Sequence, residues 1–225
     1  LHKSSRRQRQ MCIRDSRGPE FSDLANDCLE GIKTIFKTKS NVIIYPASGT
    51  GAWEAALVNT IRENELVLMV ETGHFASLWN KMALRLGIRT EFLETDWRRG
   101  VVPEKLLDRL QKDTKNEIKA VCVVHNETST GCASRIEEVR KVLNSANHNA
   151  LLMVDTISGL ASMEYKHDEW GVDITVSGSQ KGLMLPPGLS FNAISDKALR
   201  ISKTSGMRRS YWDWEEQIEA NKSGS

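Results

Sequence analysis

Lys181 stands in the stretch VSGSQKGLMLPPGLSF (176 to 191), where one apolar run ends in small and polar residues and another begins soon after. An amine there can serve as a nucleophile if the neighbouring apolar runs desolvate it and lower its pKa, and the small residues beside it allow close approach to its backbone. The plain alternative is a solvated surface lysine. One apolar run earlier, Asp155 follows ALLMV, so its carboxylate emerges from a buried strand and needs a cationic partner. The alternative for Asp155 is a helix N-cap. In PASGTGAWEAAL, Ser48, Gly49, Thr50 and Gly51 lie between a strand-like run and a helix-like one. Backbone N–H groups and hydroxyls at a helix N-terminus can hold a phosphate, although small residues also serve a turn by geometry alone. The loop has neither the G-x-G-x-x-G order nor the lysine of a P-loop.

A phosphate-cradling loop, an aspartate at one strand end and a lysine after the next meet the needs of pyridoxal phosphate. The lysine forms the Schiff base, the aspartate keeps the pyridine nitrogen protonated, and the loop anchors the phosphate.

Such residues need a frame that brings strand ends together. The chain alternates short apolar runs with amphipathic segments, the pattern of β-α units in a mostly parallel sheet. Seven strands are predicted, at 41 to 45, 66 to 70, 89 to 93, 120 to 124, 150 to 154, 173 to 177 and 189 to 194. Helices are predicted near 22 to 36, 51 to 61, 75 to 86, 103 to 112 and 135 to 146, with Pro103 in a first turn. In open α/β sheets ligands bind beyond the carboxyl ends of the strands, so PASGTG, ETGHF, HNETSTG, DTISG and SGSQKG are predicted to share one rim.

Composition bounds the rest. The 225 residues suffice for a substantial core, and a net charge of +2 gives no electrostatic footprint for nucleic acid. No apolar run is long enough to span a membrane, so the predicted partner is a small molecule. Cys12, Cys28, Cys122 and Cys132 show no zinc spacing and suit a reducing compartment; no metal is predicted. Residues 1 to 16 are basic and polar without apolar periodicity and are read as a tail outside the fold.

The sequence resembles the class V, fold-type I pyridoxal-phosphate aminotransferases, and among them the serine–glyoxylate and alanine–glyoxylate enzymes. The resemblance is carried by RGPEFSDL (17 to 24), SGTGAWEAALVNT (48 to 60), ETGHF (71 to 75), HNETSTG (125 to 131), VDTISGL (154 to 160), SGSQKGL (177 to 183) with PPG (186 to 188), and YWDW (211 to 214). It implies a fold-type I large domain over residues 17 to 225, a mostly parallel seven-stranded sheet flanked by helices. It also implies a homodimer and a peroxisomal, cytoplasmic or mitochondrial compartment. Lys181 is implied as the Schiff-base lysine, Asp155 as partner of the pyridinium, and Thr50, Gly51 and Ala52 as phosphate-loop residues joined by Gln180. Phe75 falls where the family places an aromatic on the ring, and Thr128 where a hydroxyl meets the phenolic oxygen; their plain alternatives are a core residue and a turn cap. His74 and His125 stay open.

The implied reaction takes an amino group from serine or alanine to glyoxylate, giving glycine and a keto acid, with SGTGAWEAALVNT closer to the serine branch. The family pattern continues past residue 225 into a C-terminal domain that carries the arginine for the substrate carboxylate and the contacts that cross the dimer to the phosphate. The chain is therefore read as an incomplete large domain, with little activity expected of it alone. Ser16 replaces a histidine typical before RGPEF. The alternatives are another class V activity, such as phosphoserine transamination or cysteine desulfuration, a non-catalytic cofactor-binding chain, and a nucleotide-binding α/β domain using SGTG. A desulfurase needs a cysteine beyond Lys181, and none stands between Lys181 and Ser225.

Overall fold

The computed structural model describes residues 19–204 and 206–223. The tail over 1 to 16, with Ser16 and Cys12, and Arg17 and Gly18 of the RGPEF motif lie outside the described residues. Helix α1 (Pro19–Phe36) leads into β1 (Asn41–Tyr45), α2 (Gly49–Thr60), β2 (Leu66–Val70), α3 (His74–Arg85), β3 (Arg89–Leu93), α4 (Pro103–Lys112) and β4 (Ile118–Val124). A short hairpin of two-residue strands, β5 (Asn126–Glu127) and β6 (Cys132–Ala133), precedes α5 (Ile136–Ser145), β7 (Leu151–Asp155), β8 (Ile174–Gly178), β9 (Ser190–Ile194), α6 (Asp196–Ser202) and α7 (Trp214–Ser223).

Seven of these strands form one sheet in the order β1-β9-β8-β7-β4-β2-β3. As predicted it is mostly parallel: β9 pairs antiparallel with both neighbours, and the other pairings are parallel. The reversal of β9 has a local cause. Residues 179 to 189 contain no helix, and a parallel return needs a long crossover, so the chain turns back beside β8.

Alternation along each strand splits the core in two. Leu66, Leu68 and Val70 of β2, with Leu152 and Val154 of β7, face Ile32 and Phe36 of α1, Leu106 and Leu110 of α4, and Val139 and Leu143 of α5. Val67 and Met69, with Leu151 and Met153, face Ala52, Trp53 and Leu57 of α2, Trp79 of α3 and Trp214 of α7. Both faces are covered, which is why central strands such as β2 and β7 read as unbroken apolar runs, whereas the edge strand β3, RTEFL, does not. Leu106 and Leu110 lie one turn apart on α4, and burying each contributes about 2 kcal/mol. Among the described residues no helix is long and apolar enough to cross a membrane.

Parity decides where the rim side chains point. Asp155 continues the Leu151, Met153 series toward α2, whereas His125 continues the Val121, Val123 series toward the opposite face.

Candidate active site

A cleft of about 190 Å³ opens at the carboxyl ends of the parallel strands. Its walls include Ser48, Gly49 and Thr50 after β1, Asn126 and Thr128 after β4, Asp155, Ile157 and Ser158 around the end of β7, and Gln180 and Lys181 after β8, with Trp53 and Phe75 from the two helices. The structure thus brings together Thr50, Phe75, Thr128, Asp155, Gln180 and Lys181. Gly51 and Ala52 lie deeper in the first turn of α2, where their N–H groups donate to Ser48 O at 2.9 and 3.3 Å.

The start of α2 is open. Ser48 makes no side-chain cap, and the N–H groups of Gly49 and Thr50 have no acceptor among the described residues. Free N–H groups at a helix N-terminus attract an anion. The glycines here answer to packing: a Cβ on Gly49 would collide with Ile157, and one on Gly51 would lie 2.8 Å from Trp212 Cη2 and 2.9 Å from Ala47 Cβ. Trp212 is held against this turn by its indole N–H, which donates to Glu54 at 3.1 Å, and by its carbonyl, which accepts from Tyr45 Oη at 3.0 Å and Asn59 Nδ2 at 2.7 Å. The YWDW segment therefore braces the turn from outside.

Asp155 is 3% exposed. Its Oδ1 accepts the N–H of Ile157 at 2.7 Å, the local turn bond that an N-cap reading anticipates, and its Oδ2 accepts the indole N–H of Trp53 at 2.8 Å. No cation pairs with it among the described residues. Burial pushes its pKa up to about 7 against the pull of those two donors, and the negative charge of Glu127 adds to the rise.

Lys181 is exposed, so the apolar runs on either side do not bury its amine within this chain. Its backbone is nonetheless fixed. Buried Ser179 pins both ends of the loop, with its Oγ donating to Pro186 O at 2.6 Å and its N–H to Leu189 O at 3.0 Å. Gly182 lies so close to the Leu160 carbonyl that a Cβ there would collide.

Phe75 is half-buried at the start of α3, and Thr128 is exposed in the β5–β6 turn. His74 is exposed, and its backbone N–H donates to Ser129 Oγ at 2.9 Å. His125 lies behind the sheet, its ring centroid 5.4 Å from Tyr165 and 6.2 Å from Trp170, and burial drives its pKa down to about 4. It is a neutral core histidine.

Sequence reasoning missed Trp53 and Glu127. The helical spacing of Trp53 from Gly49 and the parity of Asp155 are signals for the first; Glu127 has none, because two of its donors, Phe75 and Ala76, come from a helix about fifty residues away.

The aminotransferase class V family model matches residues 12–218, and the chain belongs to that family. It is 47% identical over 215 residues to a serine–glyoxylate aminotransferase of Hyphomicrobium methylovorum, covering 94% of this chain and 53% of that protein. It is 42% identical over 200 residues to an L-aspartate–glyoxylate aminotransferase of Paracoccus denitrificans, covering 88% of this chain and 50% of the relative. The crystal structure of an alanine–glyoxylate aminotransferase from Nostoc superposes with a TM-score of 0.81 at 28% identity, over 92% of this chain and 54% of that one. The chain spans about half the length of the curated relatives it matches.

Proposed function

We propose that this chain is the cofactor-holding part of a pyridoxal-phosphate-dependent aminotransferase that carries the amino group of serine, or of alanine, to glyoxylate. The observation that carries the reading is a buried carboxylate, Asp155, with no cation paired to it among the described residues, in one cleft with Lys181 and the open N-terminus of α2. The names of the serine–glyoxylate relatives favour serine as donor.

The residues present fit that cofactor. Gly49 and Thr50 offer N–H groups, and Gln180 a side-chain amide, for the phosphate. Asp155 holds a proton on the ring nitrogen, which removes the cost of its unpaired charge. Phe75 supplies an aromatic wall and Thr128 a hydroxyl for the phenolic oxygen. Bound there, pyridoxal phosphate supplies an electron sink for the negative charge that develops at an amino acid's Cα. Lys181 is the residue that would hold the cofactor covalently, and its Nζ would accept the proton from the substrate Cα and return it to the cofactor's carbon. In this reading a second copy of the chain covers the apolar Met184, 89% exposed, beside Lys181, and sedimentation tests that homodimer.

The test is titration of this chain with pyridoxal phosphate, borohydride reduction and mass mapping, followed, in a chain extended to the length of its relatives, by glycine formation from glyoxylate with serine, alanine or aspartate. The expected adduct is on Lys181. An adduct elsewhere, or none, overturns the cofactor assignment, and aspartate outrunning serine and alanine overturns the donor.

A further inference from the structure

Trp53 joins two ends of the cleft. It sits one helical turn beyond Gly49, whose N–H has no acceptor among the described residues, and its indole reaches Asp155 on β7, 102 residues along the chain. We infer that Trp53 is a positioning residue that holds the Asp155 carboxylate ionised and oriented toward a protonated ring nitrogen, so that one turn of α2 sets both the phosphate seat and the nitrogen seat. The inference rests on the cofactor reading above.

A carboxylate oxygen has two lone pairs. Trp53 Nε1–H occupies one on Oδ2 at 2.8 Å and Ile157 N–H one on Oδ1 at 2.7 Å, so each oxygen keeps one for a ligand. Two donors on opposite oxygens also stop rotation of the carboxylate plane. They favour the charged form, which burial alone disfavours and which a pyridinium partner requires. The donor is itself held in place: Trp53 is 3% exposed and its ring stacks on Trp79 with centroids 5.8 Å apart and planes 12° from parallel. Trp79 is the control supplied by the fold. It is fully buried in the same stack, yet its Nε1 has no hydrogen-bond partner among the described residues. A packing role is shared by both rings, and the bond to Asp155 belongs to Trp53.

The experiment compares wild type, Trp53→Phe and Trp79→Phe. The Asp155 carboxyl is titrated by carbon NMR without cofactor, and pyridoxal phosphate affinity is measured by absorbance. Trp53→Phe is expected to raise the Asp155 titration by about one pH unit and weaken the cofactor roughly tenfold, as loss of a charge-assisted hydrogen bond demands. Trp79→Phe is expected to leave the Asp155 titration in place. An unmoved titration in Trp53→Phe, or an equal shift in Trp79→Phe, overturns the inference. If Trp53→Phe does not fold, the wild-type Trp53 indole proton resonance decides: it must follow the Asp155 titration, and a resonance that stays fixed overturns the inference too. A wild-type chain that binds no pyridoxal phosphate defeats the cofactor reading instead, while the cofactor-free titration still decides whether Trp53 holds the carboxylate.

Discussion

Glu127 reaches 52 residues back along the chain to Phe75, whose backbone N–H donates to its Oε1 at 3.3 Å. The same carboxylate accepts the N–H of Ala76 at 3.2 Å, the N–H of Ser129 at 3.2 Å and the hydroxyl of Ser129 at 2.7 Å. It is fully buried, and its charge sits at the N-terminus of α3, where the helix dipole favours it. One side chain thus ties the loop bearing Thr128 to the helix turn bearing Phe75.

Replacing Glu127 with Gln puts an NH2 group where one of those donors points. The expected cost is about 1–3 kcal/mol of stability, read as a lower midpoint in urea. Pyridoxal phosphate affinity should fall with it, since Phe75 and Thr128 lose their shared anchor. An unchanged urea midpoint would show that the four contacts contribute nothing net.

Asp155 should make stability depend on pH in a direction unusual for a carboxylate. Its folded pKa, about 7, lies above the ordinary 3.8, so its contribution is fully present below about pH 4 and is lost as pH rises through 7. His125 and His167, both held near 4 by burial, act oppositely, adding stability as pH rises from about 4 to 6.5. Comparison with Asp155→Asn isolates the carboxylate: the stability of wild type relative to that variant should drop by up to about 4 kcal/mol between pH 4 and pH 8. Urea melts across that range measure it. On the cofactor reading proposed above, the same variant should also bind pyridoxal phosphate more weakly, read by absorbance, and lose turnover in assays of glycine formation.

Lys181→Ala should abolish the borohydride-reducible adduct with pyridoxal phosphate. Because the side chain is exposed and the loop is held by Ser179, stability should stay within about 0.5 kcal/mol of wild type. A retained adduct would place the attachment on another lysine.

Gly51→Ala should destabilise the chain by about 1–3 kcal/mol, because the new methyl meets Trp212 and Ala47 with no room to withdraw. The cost should shrink in a Trp212→Ala background, where the ring is gone, and a double-mutant cycle reads that coupling directly. Equal costs in both backgrounds would mean that Trp212 does not brace the turn.

Much of this architecture was legible in the chain itself. The seven sheet strands fall within about two residues of the runs that predict them, most clearly the central ones, because a strand covered on both faces must be apolar at successive positions. The helices at 103 to 112 and 136 to 145 follow from amphipathic spacing, with Pro103 in the first turn of the former. The rim loops follow too, since polar residues gather where buried strands end. What stayed hidden is short or non-local. Strands β5 and β6 have two residues each, too few for a period, and α6 has only seven. The cleft itself was decided by tertiary structure. Trp53 meets Asp155 across 102 residues, and Glu127 meets Phe75 across 52, because strand order and crossovers set which loops adjoin. Local propensity acts over a few residues, whereas these contacts form only when two distant segments pack on the same sheet face, so no stretch of sequence read alone contains them.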